Sequence, residues 1–379
     1  MSVNPQSHSP SGQARARGLG IPFDGEPGPW NAITDVPGVE VGYTTMIIGS
    51  DVRTGVTAIH PRGAAGAGDP CAAGFHSHNG NGEMTGVSWI HESGYASGPV
   101  CVTNTHAVGT AHAGIVAWTV RHHREVADAW LLPVAGETWD GYLNDINGQH
   151  VTQESVLAAL ESARRTPLDE GSVGGGTGMN CYEYKGGSGT ASRMVGYAGA
   201  QYTVGVFLQC NFGAREELVI AGVPVGRDLA DDNPVREHFA APPGAGSCIA
   251  VVLTDAPLLP GQCQALARRV TAGLARTGTT GSHFSGDLFL AQSVGNPGGF
   301  TPGFAMMHAG SRAKLDRLDF VPWGAMDRFF DAVVQATEES VVNALVAGRG
   351  MTGYRGRRSP GMPLDRVTAA LRGRGVITQ

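Results

Sequence analysis

The chain has 379 residues, 41% of them apolar and 16% charged, a globular balance with room for a large core. A net charge of −6 gives no reason to expect a nucleic-acid partner or an anionic membrane surface. No apolar run approaches the roughly 18 residues of a membrane span, and residues 1–20 lack the apolar core of a signal peptide.

In chain order, residues 1–17 are polar and read as a disordered tail, leaving 18–379 as a single domain. A first strand is expected over 39–48, then a Gly/Ala-rich loop over 61–70. A short strand over 100–104 leads into Thr105-His106-Ala107-Val108-Gly109, followed by a helix over 113–120 and a strand over 129–134. Thr152 caps a helix reaching to about Arg165, with Val156, Leu157, Leu160 and Ala163 as its apolar stripe. Strands are expected over 202–210 and 218–225. Residues 226–246 are charged, then Pro/Gly-rich, and read as a linker.

A strand over 248–254 and a helix over 261–276 follow, then a strand over 287–292. A helix over 326–347 is ended by Gly348. The Arg/Gly-rich remainder reads as poorly structured. Strands separated by helices in both halves imply one mixed α/β unit with the strand after Ser247 at its centre.

The 57 glycines show no period, so they mark tight turns and close backbone approaches instead of a repeat. The six cysteines, at 71, 101, 181, 210, 248 and 263, form no C-x-x-C pair and read as reduced core thiols. No phosphate loop, nucleophile elbow or H-E-x-x-H is present, and Gly348, Gly350 and Gly353 follow a helix instead of opening one. His76, His78, His106 and His112 have no supporting carboxylate spacing and read as structural, so neither a metal nor a cofactor is expected.

The seam at Gly246–Ser247 carries the chemistry. A flexible Pro/Gly/Ala stretch stops there and an unbroken β-branched run, Cys248 to Leu253, begins. Cleavage at that bond would leave one serine with both a hydroxyl and a free α-amine. The amine titrates near ~8, a usable range for a base that activates the hydroxyl. A cut one bond later would instead expose Cys248, which reads better as a small buried residue.

Several strings resemble peptidase family S58 (P1), which holds L-aminopeptidase/D-esterases and β-peptidyl aminopeptidases. In the second half they are Gly246-Ser247-Cys248-Ile249, Thr254-Asp255-Ala256-Pro257-Leu258-Leu259-Pro260 and Leu274-Ala275-Arg276-Thr277-Gly278. In the first half they are Ile33-Thr34-Asp35-Val36-Pro37-Gly38-Val39, Asn79-Gly80-Asn81-Gly82-Glu83-Met84-Thr85-Gly86 and Gly174-Gly175-Gly176-Thr177-Gly178-Met179. The resemblance implies an α/β fold, a four-layer αββα sandwich of the DmpA/ornithine-acetyltransferase type. It also implies self-cleavage into an α chain, 1–246, and a β chain, 247–379.

The implied activity is that of an N-terminal-nucleophile serine aminopeptidase acting on small peptides, amino-acid amides or esters. Ser247 would be nucleophile and Asn211 the oxyanion donor, with Ser285 and Asp287 as a supporting pair. Glu137 would hold the substrate's ammonium, with Trp139, Tyr142 and Asn144 in the same binding motif. Trp139 stands where the aminopeptidase with D-esterase activity has Tyr, and an indole N–H donates but cannot accept; Tyr142 is the nearby substitute. The expected assembly is a tetramer of αβ heterodimers in the cytoplasm. The rivals are an ornithine-acetyltransferase-like acyltransferase, which would use Thr at the cleavage point, and an uncleaved, non-catalytic ligand-binding protein.

Overall fold

The computed structural model describes residues 4–238, 246–300 and 315–378. The chain opens with a packed arm and then forms β1 (Glu40–Ile48), β2 (Val52–His60), β3 (Cys71–Ser77), α1 (Val87–Ser93), β4 (Tyr95–Ala96) and β5 (Val100–Asn104). Next come α2 (Val108–His122), α3 (Arg124–Ala129), β6 (Val134–Thr138) and α4 (Gln153–Ser162). A short ribbon, β7 (Asn180–Cys181) and β8 (Tyr184–Lys185), precedes β9 (Gly187–Tyr197) and β10 (Ala200–Asn211). After α5 (Val225–Asp228) and α6 (Pro234–His238) come β11 (Gly246–Thr254), α7 (Pro260–Arg276), β12 (Ser285–Ser293) and α8 (Asp327–Ala347). The chain closes with β13 (Met351–Thr352), β14 (Arg358–Ser359) and α9 (Leu364–Gly373).

Among the described residues two large sheets form, one ordered β1-β2-β5-β6 and the other β4-β3-β12-β11-β10-β9, with β7-β8 and β13-β14 as two-stranded ribbons. Each strand sends alternate residues to opposite faces, so three cores result. Val41, Ile59, Val100, Val102 and Val134 meet Phe207, Ile249, Val251, Leu253 and Leu290 between the sheets. Val56, Ala58, Cys101 and Ala135 pack outward on Ala111, Ile115 and Trp118 of α2 and on Val156 and Leu160 of α4. Val206, Leu208, Ala250, Val252 and Phe289 pack on Leu266 and Val270 of α7 and Phe329 and Val333 of α8. The layers are helix, sheet, sheet, helix, which is the expected αββα sandwich.

β11 has neighbours on both sides, β10 antiparallel and β12 parallel. A strand buried on both faces and paired on both edges needs no alternation in its sequence, which accounts for the apolar run 248–253.

Five expectations change. The strand expected over 129–134 lies further on: Ala129 ends α3 and β6 begins only at Val134. Residues 4–17 are not a loose tail: Arg15 is 2% exposed and its guanidinium is paired with Glu170 at 2.7 Å. Residues 218–225 are not a strand. Their apolar side chains are buried, but the chain reverses at Ala221 and Gly222, both at positive φ, leaving one bridge between Ile220 and Val223. The segment after Gly348 contains α9, whose Val367 and Leu371 are fully buried. The expected linker carries α5 and α6; its last part, 239–245, lies outside the described residues. All six cysteines are free and buried. No helix among the described residues is long and apolar enough to cross a membrane.

Candidate active site

Ser247 is the second residue of β11 and is 3% exposed. It is paired with Asn211 on one side and Gly286 on the other. Because Ile249 and Val251 face the opposing sheet, Ser247 faces it too, toward the ends of β5 and β6. Cys248 points the other way into the helix-side core, where burial pushes its thiol well above the ordinary range. That environment is unsuited to a nucleophile. Gly246 is sterically fixed: a Cβ there would stand 1.8 Å from the Asn211 carbonyl oxygen.

Asn211, the last residue of β10, shares the face of Ser247. Its Oδ1 accepts from the Asn180 N–H at 2.9 Å and its Nδ2 donates to the Trp139 carbonyl at 2.9 Å. These two bonds orient the carboxamide and leave the second Nδ2 proton uncommitted by them. Trp139 follows β6, and its indole packs over Gly141, where a Cβ would stand 2.4 Å from the ring.

Glu137 lies on β6 and is 2% exposed. Its Oε1 accepts from the Glu83 N–H at 2.8 Å and its Oε2 from the Thr105 hydroxyl. Burial raises its pKa; the Thr105 hydroxyl and Glu83 amide pull it partly back. A Cβ on Gly82 would lie 3.2 Å from Glu137 Oε1 and 3.1 Å from the Gly286 Cα. Gly82 thus packs between the Glu137 carboxylate and Gly286, the strand partner of Ser247, and a side chain there would crowd both.

The same loop grips β12. Asn79 Nδ2 donates to Asp287 Oδ2 at 2.9 Å, and the Asp287 N–H returns to Asn79 Oδ1 at 2.6 Å. Ser285 donates to Asp287 Oδ1 at 2.7 Å. The parallel register sets Asp287 beside Cys248 and not beside Ser247. The Ser285–Asp287 pair therefore lies across the β11 backbone from the Ser247 hydroxyl. Burial raises the Asp287 pKa, and the Ser285 hydroxyl, the Asn79 amide, His78 and the Cys248 amide counter it.

Tyr142 and Asn144 turn into the fold. The Tyr142 hydroxyl donates to the Arg358 carbonyl at 2.9 Å. Asn144 accepts from the Arg53 N–H at 3.1 Å and donates to Asp140 at 3.1 Å. Both brace the loop that carries Trp139. In the sequence, residues 79–86 and Thr105 stand out only as parts of strings, and Asn180 not at all. A threonine before a helix reads as a cap, and nothing in its spacing points to a carboxylate on another strand. Among the described residues no group of three or more His, Cys, Asp or Glu could hold a metal ion.

A serine at a strand start, an oriented carboxamide beside it and a buried carboxylate on the facing sheet are a set that suits acyl transfer from a cationic substrate. Solved structures share the frame. The L-aminopeptidase D-Ala-esterase/amidase of Ochrobactrum anthropi, described as a prototype serine aminopeptidase and a variant of the N-terminal-nucleophile hydrolase fold, superposes with a TM-score of 0.88. It is 42% identical, with 96% of this chain and 99% of that one covered. A Burkholderia sp. β-aminopeptidase gives 0.86 at 44% identity, covering 95% and 98%. The β-peptidyl aminopeptidase BapA of Sphingosinicella microcystinivorans is 44% identical over 375 residues, 94% of this chain and 92% of that protein. The fold is thus that of an N-terminal-nucleophile hydrolase. The model of peptidase family S58 matches residues 31–359, and the chain belongs to that family.

Proposed function

We propose that this S58 serine aminopeptidase matures by cutting its own Gly246–Ser247 bond and then works through Ser247. The observation that supports the reading is the register: Ser247 lies on a buried strand between Asn211 and Gly286, and the Glu137 carboxylate stands beside the Gly82 that packs on Gly286. The freed α-amine is the base, with a pKa near ~8, and it emerges at the edge of the backbone that the Ser285–Asp287 pair faces. The hydroxyl attacks the acyl carbon and Asn211 Nδ2 stabilises the oxyanion. Collapse of the tetrahedral intermediate breaks the acyl C–N or C–O bond, and the leaving amine or alcohol takes the proton that the α-amine received from the hydroxyl. Water then hydrolyses the acyl-enzyme ester, which frees the acid and restores the hydroxyl. Glu137 receives the substrate's free ammonium, which favours the carboxylate that burial alone disfavours. Relatives that act on L-amino acid and β-peptidyl substrates support peptides, amides and esters with a free amine as the substrate class. A cytoplasmic tetramer of αβ heterodimers is the accompanying proposal.

Hydrolysis of aminoacyl p-nitroanilides with free and acetylated amines tests this. Free-amine substrates turn over, acetylated ones are very poor, and Glu137→Gln loses most on the free-amine set. The smaller chain begins Ser-Cys-Ile-Ala on N-terminal sequencing. Equal turnover of both substrate sets removes the role of Glu137, and a single 39.3 kDa chain in active enzyme removes self-cleavage.

A further inference from the structure

We infer that the Asn180 carboxamide receives the N–H of the bond being cut, and so makes the enzyme favour amides over esters of the same acyl group. The inference rests on the assignment of Ser247 and Glu137 above.

Asn180 stands in β7 with its N–H on Asn211 Oδ1 at 2.9 Å. Its neighbour Cys181 is buried in the helix-side core, so alternation turns Asn180 away from that core. The residue is half-buried, yet its Oδ1 is fully buried and accepts no hydrogen bond from any described residue. A buried acceptor left unpaired is unfavourable, and a ligand that brings an N–H to it recovers the loss.

The ribbon holds this acceptor in place. Lys185, the strand partner of Asn180, is fully buried and donates from Nζ to the carbonyls of Met179 and Gly186, each at 2.8 Å. Met179 is itself buried and takes the Thr138 hydroxyl on its sulfur at 2.9 Å. The backbone on either side of Asn180 is therefore pinned.

Position decides which substrate N–H it meets. Ser247 is flanked by β12 on one side and β10 on the other. Glu137 stands beside Gly82, which packs on Gly286 of β12, and so takes the ammonium on that side. Asn180 arrives through Asn211 on the β10 side. An acyl carbon over Ser247 with its ammonium at Glu137 turns its remaining substituents, the oxyanion and the leaving amide, toward Asn211 and Asn180. A site built to pair an N–H discriminates against the analogue lacking it, because the acceptor then stays unpaired.

The test compares kcat/KM, which reports steps through acylation, for the amide and the methyl ester of one amino acid. Asn180→Leu and the smaller Asn180→Ala should lower the amide-to-ester ratio of kcat/KM about 10–100-fold. Asn180→Asp keeps an acceptor and should hold the amide-to-ester ratio near that of the unmodified enzyme, whatever happens to both rates. Equal losses on amide and ester overturn the inference and assign Asn180 to holding Asn211. A ratio that no variant moves overturns it as well. Unmodified enzyme that cleaves neither substrate overturns the aminopeptidase reading, and this one with it.

Discussion

Asp140 shows how one residue's environment can be read in solution. It is fully buried one position after Trp139, its Oδ2 has no hydrogen-bond partner among the described residues, and burial pushes its pKa up to about 7 against a usual 3.8. Thr54, Asn144 and Asn104 offset only part of that rise. Because the folded form holds the proton more tightly than the unfolded chain, its contribution is complete below about pH 4. It is lost as pH rises toward 7. Asp140→Asn cannot ionise, so the variant should gain stability relative to the parent across that window, by up to about 4 kcal/mol. Denaturant melts at pH 4, 5.5 and 7 check this, and a difference that stays flat with pH removes the assignment. Asp140 is not legible in the sequence because its stretch also holds Glu137, Thr138, Asn144 and Asp145, and nothing local says which is buried. Glu137 and Asn211 were legible only through resemblance; alone, each reads as a loop or turn residue.

Among elements, those with a strong pattern were readable and those built on small residues were not. The strand after Ser247 and the helix over 326–347 stand out because continuous β-branched residues, or an apolar stripe at helical spacing, need no tertiary context. β9, Gly-Ser-Gly-Thr-Ala-Ser-Arg-Met-Val-Gly-Tyr, looks like a loop in isolation. It is a buried strand because α8 lies directly on it: a Cβ at Gly189 would stand 2.0 Å from the Ser340 carbonyl oxygen. β3 has the same dependence, since a Cβ at Gly74 would stand 2.0 Å from the Gln264 N in α7. Backbone cannot give way like a flexible side chain, so Gly74→Ala must lift α7 from the sheet. The expected cost is roughly 1–3 kcal/mol, the range for overpacking a tight core, seen as a lower denaturant midpoint. An unchanged midpoint would mean that α7 is seated loosely. The order of layers was legible only through resemblance, because periodicity assigns a face to each strand but not the face it meets.

At the scale of the whole molecule, the segments on either side of Ser247 are interleaved. β11 and β12 lie between β10 and β3, and Glu339 of α8 is buried against Arg193 at 2.7 Å, Arg17 at 2.7 Å and Asn31 at 2.6 Å. Burying such charges is tolerable only with every partner in place, so the cluster clamps the opening arm to the closing half of the chain. Halves parted at Ser247 would still share a sheet, a core and this cluster, and should separate only under denaturing conditions.

The packed opening arm has a use for protein engineering. Ile377, near the end of the chain, lies 4.0 Å from the Cβ position of Gly20, and Gly18 sits against the Ser7 carbonyl, where a Cβ would be 2.3 Å from the oxygen. The opening arm and the closing segment therefore lie side by side, the situation in which circular permutation succeeds. A gene reordered to begin at Ser247, run to residue 378, cross a short Gly/Ser linker and finish at residue 246 would be born with the mature serine first. Removal of the initiator methionine replaces the internal cut. Such a permutant should hydrolyse free-amine aminoacyl p-nitroanilides at the parent's rate without any processing step, and a carboxamide change at Asn211 in that background would report on turnover alone. If the permutant folds, with a native circular-dichroism spectrum, and yet stays inactive, the Ser247 amine is not sufficient as the base.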